Sequence, residues 1–476
     1  MCNPLDSANK KNKYCKMVCT LLAILLTIMI CVLPMDNLSL WNGEQPDHRN
    51  QYELMAEAIL DGRLYIDYGE DTLAGLENPY SPQEREEAGV WYPWDHAYYN
   101  GHYYMYFGVV PALLLFLPYR VVTGEALTTF HGTQVFVAFI IVGIFALFGL
   151  LRKRFFKDMP YWVYLSFSSA MSIMSVWYSS AEPALYCTAI TAAIALQVWS
   201  LYFFVKAVWV EERENRQILY ATIGALLGAL VFGCRPPIAL ANILVLPMVI
   251  TFLKQRKITV KLLGKLVIAA SPYVVVGIGL MVYNYVRFDN PFEFGQAYQL
   301  TVADQSQYGF TIKPTDITRL FNGTMESFFE FKPTTMLFPY LRPCGVFFNF
   351  PILLLSVGVL KSKALENVKK NNLILFIIGL VVTVLVINAV AILWTPYLLE
   401  RYHMDIYFLL GILCFIGAGL WHKSLSTNTT RNFMSGVMFG FSVITIISSF
   451  LYYVYTVGVY YPEKVQEIAN KIFMVG

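Results

Sequence analysis

Asp95 and His96 stand in the stretch WYPWDHAYYNGHYYMYFG (residues 91–108), a carboxylate and an imidazole among aromatic rings directly before an apolar run. A carboxylate in so dry a setting is expected to have a raised pKa and hydrogen-bonded partners, the state that proton transfer or the orienting of a hydroxyl group requires. Aromatic rings at a water–membrane boundary form a belt on their own account, which covers most of Trp91, Trp94, Tyr98, Tyr99, Tyr103 and Tyr104. It does not explain Asp95 or His96. Trp94, Tyr99 and, upstream, Tyr52 offer flat faces for a sugar ring or a lipid headgroup.

A second carboxylate, Asp47, follows Pro46 at the start of HRNQYELMAEAILDGRLYID, where Tyr52, Met55, Ala56, Ile59 and Leu60 recur at helical spacing. It reads either as the N-cap of that helix or as a general base at the membrane surface. Positive charge comes from Arg235, Arg287 and Arg401, each beside an apolar span. A guanidinium's planar fork donates two parallel hydrogen bonds to a phosphate; otherwise such arginines snorkel or pair with acids such as Glu400 or Asp289. For Arg401, in ERYHMD, the phosphate reading leads because Tyr402 and His403 add donors at the same level. Arg287 reads as structural, fixing the loop RFDNPFEFG.

The elements that must position these groups are membrane helices. Hydrophobic residues make up 57% of the chain and charged ones 14%, well away from the composition of a soluble domain. The net charge of +3 is dispersed, which excludes a nucleic-acid partner as the main reading. The eight cysteines fall mostly in apolar runs or the N-terminal tail, without disulfide or metal-ligand spacing. Spans are expected at 17–35, 133–151, 160–179, 184–208, 217–234, 237–253, 266–286, 345–360, 372–394, 403–421 and 432–457. Basic loops at 152–157, 254–265, 361–370 and 422–431 then face the cytoplasm by the positive-inside rule. The apolar run 104–121 breaks that alternation. Interrupted by Pro111 and Pro118, it is expected to be re-entrant or interfacial, giving eleven crossings and an outer C-terminus; twelve crossings with a misplaced basic loop is the alternative.

The expected organisation is a cytoplasmic tail (1–16), a first transmembrane helix (17–35), an acidic and aromatic outer loop (36–103), a helical module (104–286), an irregular lid-like outer loop (287–344) and C-terminal transmembrane helices (345–476). The first loop holds 14 Asp and Glu against 3 Arg, and so places the candidate acids outside.

The order of one anchor helix, PDHRNQYELMAEAILDGRLYID, NPY, WDHAYYNGHYYMYFGVVPALLLFLPYRVVTG, CRPPIAL, YNYVRFDNPFEFGQAYQL and ERYHMDIYFLL resembles the GT-C superfamily of polytopic glycosyltransferases. Within it, the chain looks like bacterial proteins similar to dolichyl-phosphate-mannose protein mannosyltransferases and aminoarabinose transferases. The resemblance implies an all-α fold that takes a sugar from a polyprenyl-phosphate carrier in the cell membrane and passes it, usually with inversion, to a glycan, lipid or protein acceptor outside. It implies an acidic base in the first outer loop, matching Asp47, with Asp36 as the weaker match, and Asp95 with His96 orienting the acceptor. Arg401, helped by Arg235, Tyr402 and Arg287, would hold the leaving phosphate. No DxD-type pair stands near the outer ends of the middle helices, so neither a metal nor another cofactor is expected. The competing readings are a lipid-linked glycan flippase or transporter, a polysaccharide polymerase or ligase, and a non-catalytic scaffold. Ion-coupled transport is disfavoured, since the spans are nearly free of Asp and Glu away from their ends.

Overall fold

The computed structural model describes residues 4–38, 50–183, 185–254, 256–307, 314–333, 341–360, 373–394, 398–460, 462–463 and 466. The chain runs α1 (Pro4–Leu38), α2 (Gln51–Leu60), α3 (Pro82–Ala88), a hairpin of β1 (His96–Tyr99) and β2 (His102–Met105), α4 (Leu117–Thr123), α5 (Thr129–Phe155), α6 (Tyr161–Ala181), α7 (Leu185–Val205) and α8 (Glu214–Phe232). It continues through α9 (Pro236–Ala239), α10 (Val245–Lys254), α11 (Val260–Phe288), α12 (Pro314–Phe329), α13 (Val346–Asn349), α14 (Ile374–Trp394), α15 (Glu400–Ser424) and α16 (Asn428–Tyr460). Among the described residues, nine helical stretches are long and apolar enough to cross a membrane: Asn12–Val32, α5, α7 with its extension to Val210, α8, Pro236–Lys254, α11, α14, α15 and Asn428–Val459 of α16. The architecture is that of an α-helical multi-pass membrane protein.

Two of the eleven expected crossings differ from this set, for physical reasons. α6 has the length, 21 residues or about 31 Å, but its serines, including Ser168, Ser172, Ser175 and Ser179, lower its hydropathy. Those side chains are fully buried, because α6 lies inside the bundle against α1, α5, α15 and α16. Small polar side chains of this kind let helices approach closely in a membrane. The expected span 345–360 is instead α13 followed by a ten-residue 3-10 stretch, Pro351–Leu360, about 20 Å long. It lies against α15 with backbones in contact: a Cβ on Gly358 would meet the Gly417 carbonyl at 2.3 Å.

α12 supplies part of the missing length. Gly323 packs on Ile392, and the Ser327 hydroxyl donates to Asn388 Oδ1 at 2.7 Å, so the C-terminal half of α12 runs antiparallel along the last turns of α14. The interruption between α12 and α13 is held by side-chain and backbone hydrogen bonds. Gly345 N–H donates to the Glu330 carbonyl at 2.8 Å, and Asn349 accepts from Cys344 N at 2.6 Å and donates to its carbonyl at 2.7 Å. Irregular backbone at membrane depth needs such internal partners.

The stretch 104–121 holds the end of β2 and most of a short apolar helix, Ala112–Thr123. At about 18 Å the helix is too short to span.

Of the four expected basic loops, 361–370 lies outside the described residues; the described basic segments gather at one end of the bundle. Arg152 Nη2 donates to the Met159 carbonyl at 2.8 Å, Arg154 Nε to that of Trp209 at 2.8 Å and Lys423 Nζ to that of Phe155 at 3.4 Å. Arg256 Nη2 reaches Gln217 Oε1 at 2.6 Å, and Tyr161 donates to the Lys16 carbonyl at 3.2 Å. The opposite ends of these helices carry the hairpin, the end of α6, the α8–α9 corner and the start of α15.

Candidate active site

Asp95 is aimed by a small sheet. The Asn100–Gly101 pair, at φ 51° and 77°, makes the tight turn that joins β1 and β2. The strands pair from His96 with Met105 to Tyr99 with His102. Ile66 bridges to Tyr103 on one edge, and Gln299 bridges to Ala97 on the other. Asp95 precedes β1 at φ 57°, a left-handed conformation that aspartate tolerates better than most residues. Its N–H donates to the Leu300 carbonyl at 2.9 Å, while Leu300 N–H donates to the His96 carbonyl at 2.8 Å. The kink turns the carboxylate inward, where the residue is only 4% exposed.

The carboxylate has a partner for each oxygen. Gln299 Nε2 donates to Oδ1 at 2.8 Å, and the Tyr186 hydroxyl donates to Oδ2. Burial pushes the Asp95 pKa up from the ordinary aspartate value, while Tyr186, Gln299, the Arg401 charge and the Trp94 side chain act in the opposite sense. A buried carboxylate with donors on both oxygens is restrained in direction and can still take a proton on a free lone pair.

Arg235 and Arg401 approach the same place from two other parts of the chain. Arg235 ends the corner after α8, and Pro236 and Pro237 fix the first positions of α9 behind it. Its Nε lies 2.8 Å from Asp405 Oδ1 and its Nη2 2.9 Å from Oδ2, a two-pronged ion pair inside the protein. Arg401, one turn before Asp405 on α15, is held differently. Its guanidinium lies 4.4 Å from the Tyr186 ring centroid and 5.4 Å from that of Tyr402. Among the described residues no carboxylate comes within ion-pair distance of it. Its sequence neighbour Glu400 faces His403 Nδ1 at 3.3 Å, and His403 Nε2 lies 3.0 Å from the Ser327 hydroxyl of α12. The two nearest acids on its own helix are therefore committed elsewhere. Tyr106 follows β2 directly, and Tyr178, near the end of α6, donates to Glu182 at 2.7 Å.

Other expected site residues lie apart from this cluster. Tyr52 is fully buried and stacks on Phe116 at 5.3 Å. Its helical spacing with Met55 and Ala56 marks a core stripe, which corrects the expected sugar contact. Tyr99 packs on Tyr298 at 4.7 Å and donates to Asp289 at 3.3 Å, at the hairpin tip beside the end of α11. His96 has no exposed surface, and its nitrogens lie 3.1 Å from the Trp94 carbonyl and 2.9 Å from the Tyr68 hydroxyl. It braces the turn that holds Asp95 and is closed to an acceptor. Arg287 donates to the Met105 carbonyl at 3.1 Å and to Asn284 Oδ1 at 2.8 Å, tying α11 to the hairpin rather than facing a phosphate. Trp94 stays half-buried beside Asp95. Asp47 lies outside the described residues, and α2 begins at Gln51 with Asn50 in the cap position expected for it. Among the described residues no group of three or more His, Cys, Asp or Glu is arranged to hold a metal.

Tyr186, Gln299 and Asp405 were not foreseen. Asp405 had a signal, since it stands four residues after Arg401 and hence on the same helix face. Tyr186 and Gln299 lie 91 and 204 residues from Asp95, and no local spacing points to them.

These features define a polytopic membrane protein with an acid and two arginines gathered at the end opposite its basic loops. No protein-family model and no curated protein matches the sequence. Among solved structures, the chain is similar to ArnT from Cupriavidus metallidurans bound to undecaprenyl phosphate, at 12% identity over 94% of this chain and 78% of that one, with a TM-score of 0.47. It is also similar to the apo form of the Archaeoglobus fulgidus oligosaccharyltransferase, at 11% identity over 92% of this chain and 55% of that one, with a TM-score of 0.44.

Proposed function

We propose that the protein is a membrane glycosyltransferase that moves a sugar from a polyprenyl-phosphate donor to a hydroxyl-bearing acceptor at the outer face of the cell membrane, with inversion. The observation that carries this reading is the convergence on Tyr186 of a directed, buried carboxylate, Asp95, and of Arg401, a guanidinium bounded by rings and lacking a carboxylate partner among the described residues. The acceptor oxygen attacks the anomeric carbon, the bond from that carbon to the phosphate oxygen breaks, and the acceptor proton passes to a carboxylate. Arg401 supplies positive charge where the leaving polyprenyl phosphate gains negative charge. Arg235, already neutralised by Asp405, contributes through its remaining N–H and by fixing the corner beside Tyr402. Asp47 is kept as the base taken from the first outer loop, with Asp95 orienting the acceptor; Asp95 as the base itself is the second assignment, favoured by its raised pKa. The gathering of the described basic segments at the opposite end supports the outer location. Bacterial origin and a glycan, lipid or protein acceptor belong to the same reading.

The test supplies membranes carrying wild type, Asp47→Asn, Asp95→Asn or Arg401→Gln with a mixed pool of labelled polyprenyl-phosphate sugars, at matched protein levels. Wild type is expected to release free polyprenyl phosphate and to label an acceptor. Loss of the base lowers the rate about 10²- to 10⁴-fold. Donor that crosses vesicles uncleaved would replace this reading with a flippase, and equal release by all four proteins would remove these residues from the chemistry.

A further inference from the structure

The acid and the cation of the site do not touch, yet one side chain reaches both. Tyr186 is the second residue of α7, partly buried, with Phe107 set edge-on against its ring at 5.4 Å. The Arg401 guanidinium lies over that ring, and the Tyr186 hydroxyl donates to Asp95 Oδ2. A cation over an aromatic face gains electrostatic attraction without spending an N–H donor on that ring. A phenol donating to a carboxylate fixes the direction of that carboxylate and favours its ionised form. Tyr186 therefore does two jobs from one ring, and the start of α7 sets the separation of acid and cation.

We propose that Tyr186 is a positioning residue that seats Arg401 for the donor phosphate through its ring and holds Asp95 ionised and aimed at the acceptor through its hydroxyl. This rests on the transferase reading above. The two functions separate by substitution. Tyr186→Phe keeps the seat for Arg401 and removes the donor to Asp95. Tyr186→Leu removes both.

The groups facing Asp95 from each neighbouring element are Trp94 on its own turn, Gln299 from the segment after α11, Tyr106 after β2, Tyr186 from α7 and Arg401 from α15. Among the described residues none of the others is a carboxylate or imidazole, so an acid limb in the pH–rate profile that moves with Tyr186 reports Asp95. Loss of a donor to the charged form raises the pKa of the carboxylate. The limb of Tyr186→Phe is thus expected to shift to higher pH by about one to two units, with donor KM nearly unchanged. Tyr186→Leu is expected to show the same shift and a donor KM raised on the order of tenfold, from loss of the cation's seat.

The experiment measures release of free polyprenyl phosphate across pH for wild type, both Tyr186 variants and Tyr98→Phe, at matched levels in native membranes. Tyr98 donates its hydroxyl to Asp71 elsewhere in the outer loop and serves as the control for general loosening. A shifted limb in both Tyr186 variants, a raised donor KM in Tyr186→Leu alone and a wild-type profile in Tyr98→Phe support the proposal. An active wild type whose limb stays in place in Tyr186→Phe overturns it and leaves the transferase reading standing, as does an equal shift in Tyr98→Phe. A wild type that releases no polyprenyl phosphate sinks the transferase reading and the proposal with it.

Discussion

Arg235 and Arg401 both lie near the Tyr402 ring, at 5.8 Å and 5.4 Å from its centroid, and the two regions around them treat the same side chain in opposite ways. Around Arg235 the protein provides a carboxylate with matching geometry, and the pair is shut away, with side-chain exposures of 14% and 2%. Around Arg401 it provides the faces of Tyr186 and Tyr402 and directs Glu400 toward His403. A paired buried guanidinium fixes a corner of the fold. Arg401, bounded by rings and hydrogen-bonded to Tyr402, has no carboxylate to neutralise it among the described residues.

The largest effect that this contrast predicts is on stability. Asp405→Asn leaves the buried Arg235 charge uncompensated and is expected to cost about 3–5 kcal/mol, measured as a lower unfolding midpoint in detergent. Replacing the pair together, Arg235→Met with Asp405→Leu, should restore most of that loss. If Asp405→Asn unfolds like wild type, the ion pair is not what holds the α8–α9 corner to α15.

Arg401→Gln should do the reverse, with little change in the unfolding midpoint and a transfer rate lowered about 10²- to 10³-fold, the usual cost of removing one group that stabilises developing negative charge. Arg401→Lys keeps the charge but lacks the planar fork, and should fall between the two. An Arg401 variant that loses stability and rate together would erase the distinction between the arginines.

The pH dependence sharpens the acid side of the comparison. In the proposed reaction Asp95 acts as a carboxylate, and its pKa is raised because burial penalises the charge. Activity should therefore be full above that raised value and fall as the pH drops through it, at a higher pH than an ordinary aspartate would give. Asp95→Asn should show a low rate with that limb missing. A limb that persists unchanged in Asp95→Asn would assign it to another group.

Several residues of the candidate site were legible in the sequence, and little of its geometry. Asp95 stood out as a carboxylate among rings, and Arg401 and Tyr402 as polar groups opening an apolar span. Tyr52 was misread because a phenol offers the same side chain to a core and to a sugar; only the zero exposure and the contact with Phe116 distinguish them. Asp405 was visible as a neighbour of Arg401, but partner choice depends on where the α8–α9 corner reaches α15, which sequence spacing does not encode. The hairpin had a local signal in Asn100–Gly101, masked by rings that read equally well as a membrane belt. Gln299 could not be found, because its contact with Asp95 exists only after the segment beyond α11 pairs with the edge of β1.

The smallest expected effect concerns α12, which falls in the segment that the sequence suggested as an irregular, lid-like outer loop. Ile317, Phe321, Met325 and Phe329 recur every four residues and are 70%, 64%, 41% and 52% exposed, so the helix turns an apolar stripe away from the protein. Its other face, through Ser327, is bound to Asn388 of α14 and lies beside His403, two residues from Arg401. Asn388 is six residues inside the end of a spanning helix, about 9 Å along its axis. A helix packed at that depth with an apolar outer stripe lies in the hydrocarbon boundary of the membrane rather than in water. In liposomes, Phe321→Cys should therefore gain labelling over wild type with a membrane-permeant thiol reagent and little with a charged one, while transfer stays within about twofold of wild type. Rapid labelling by the charged reagent would place α12 in water. The wall beside Arg401 would then be an aqueous lid rather than a lipid-facing side of the site.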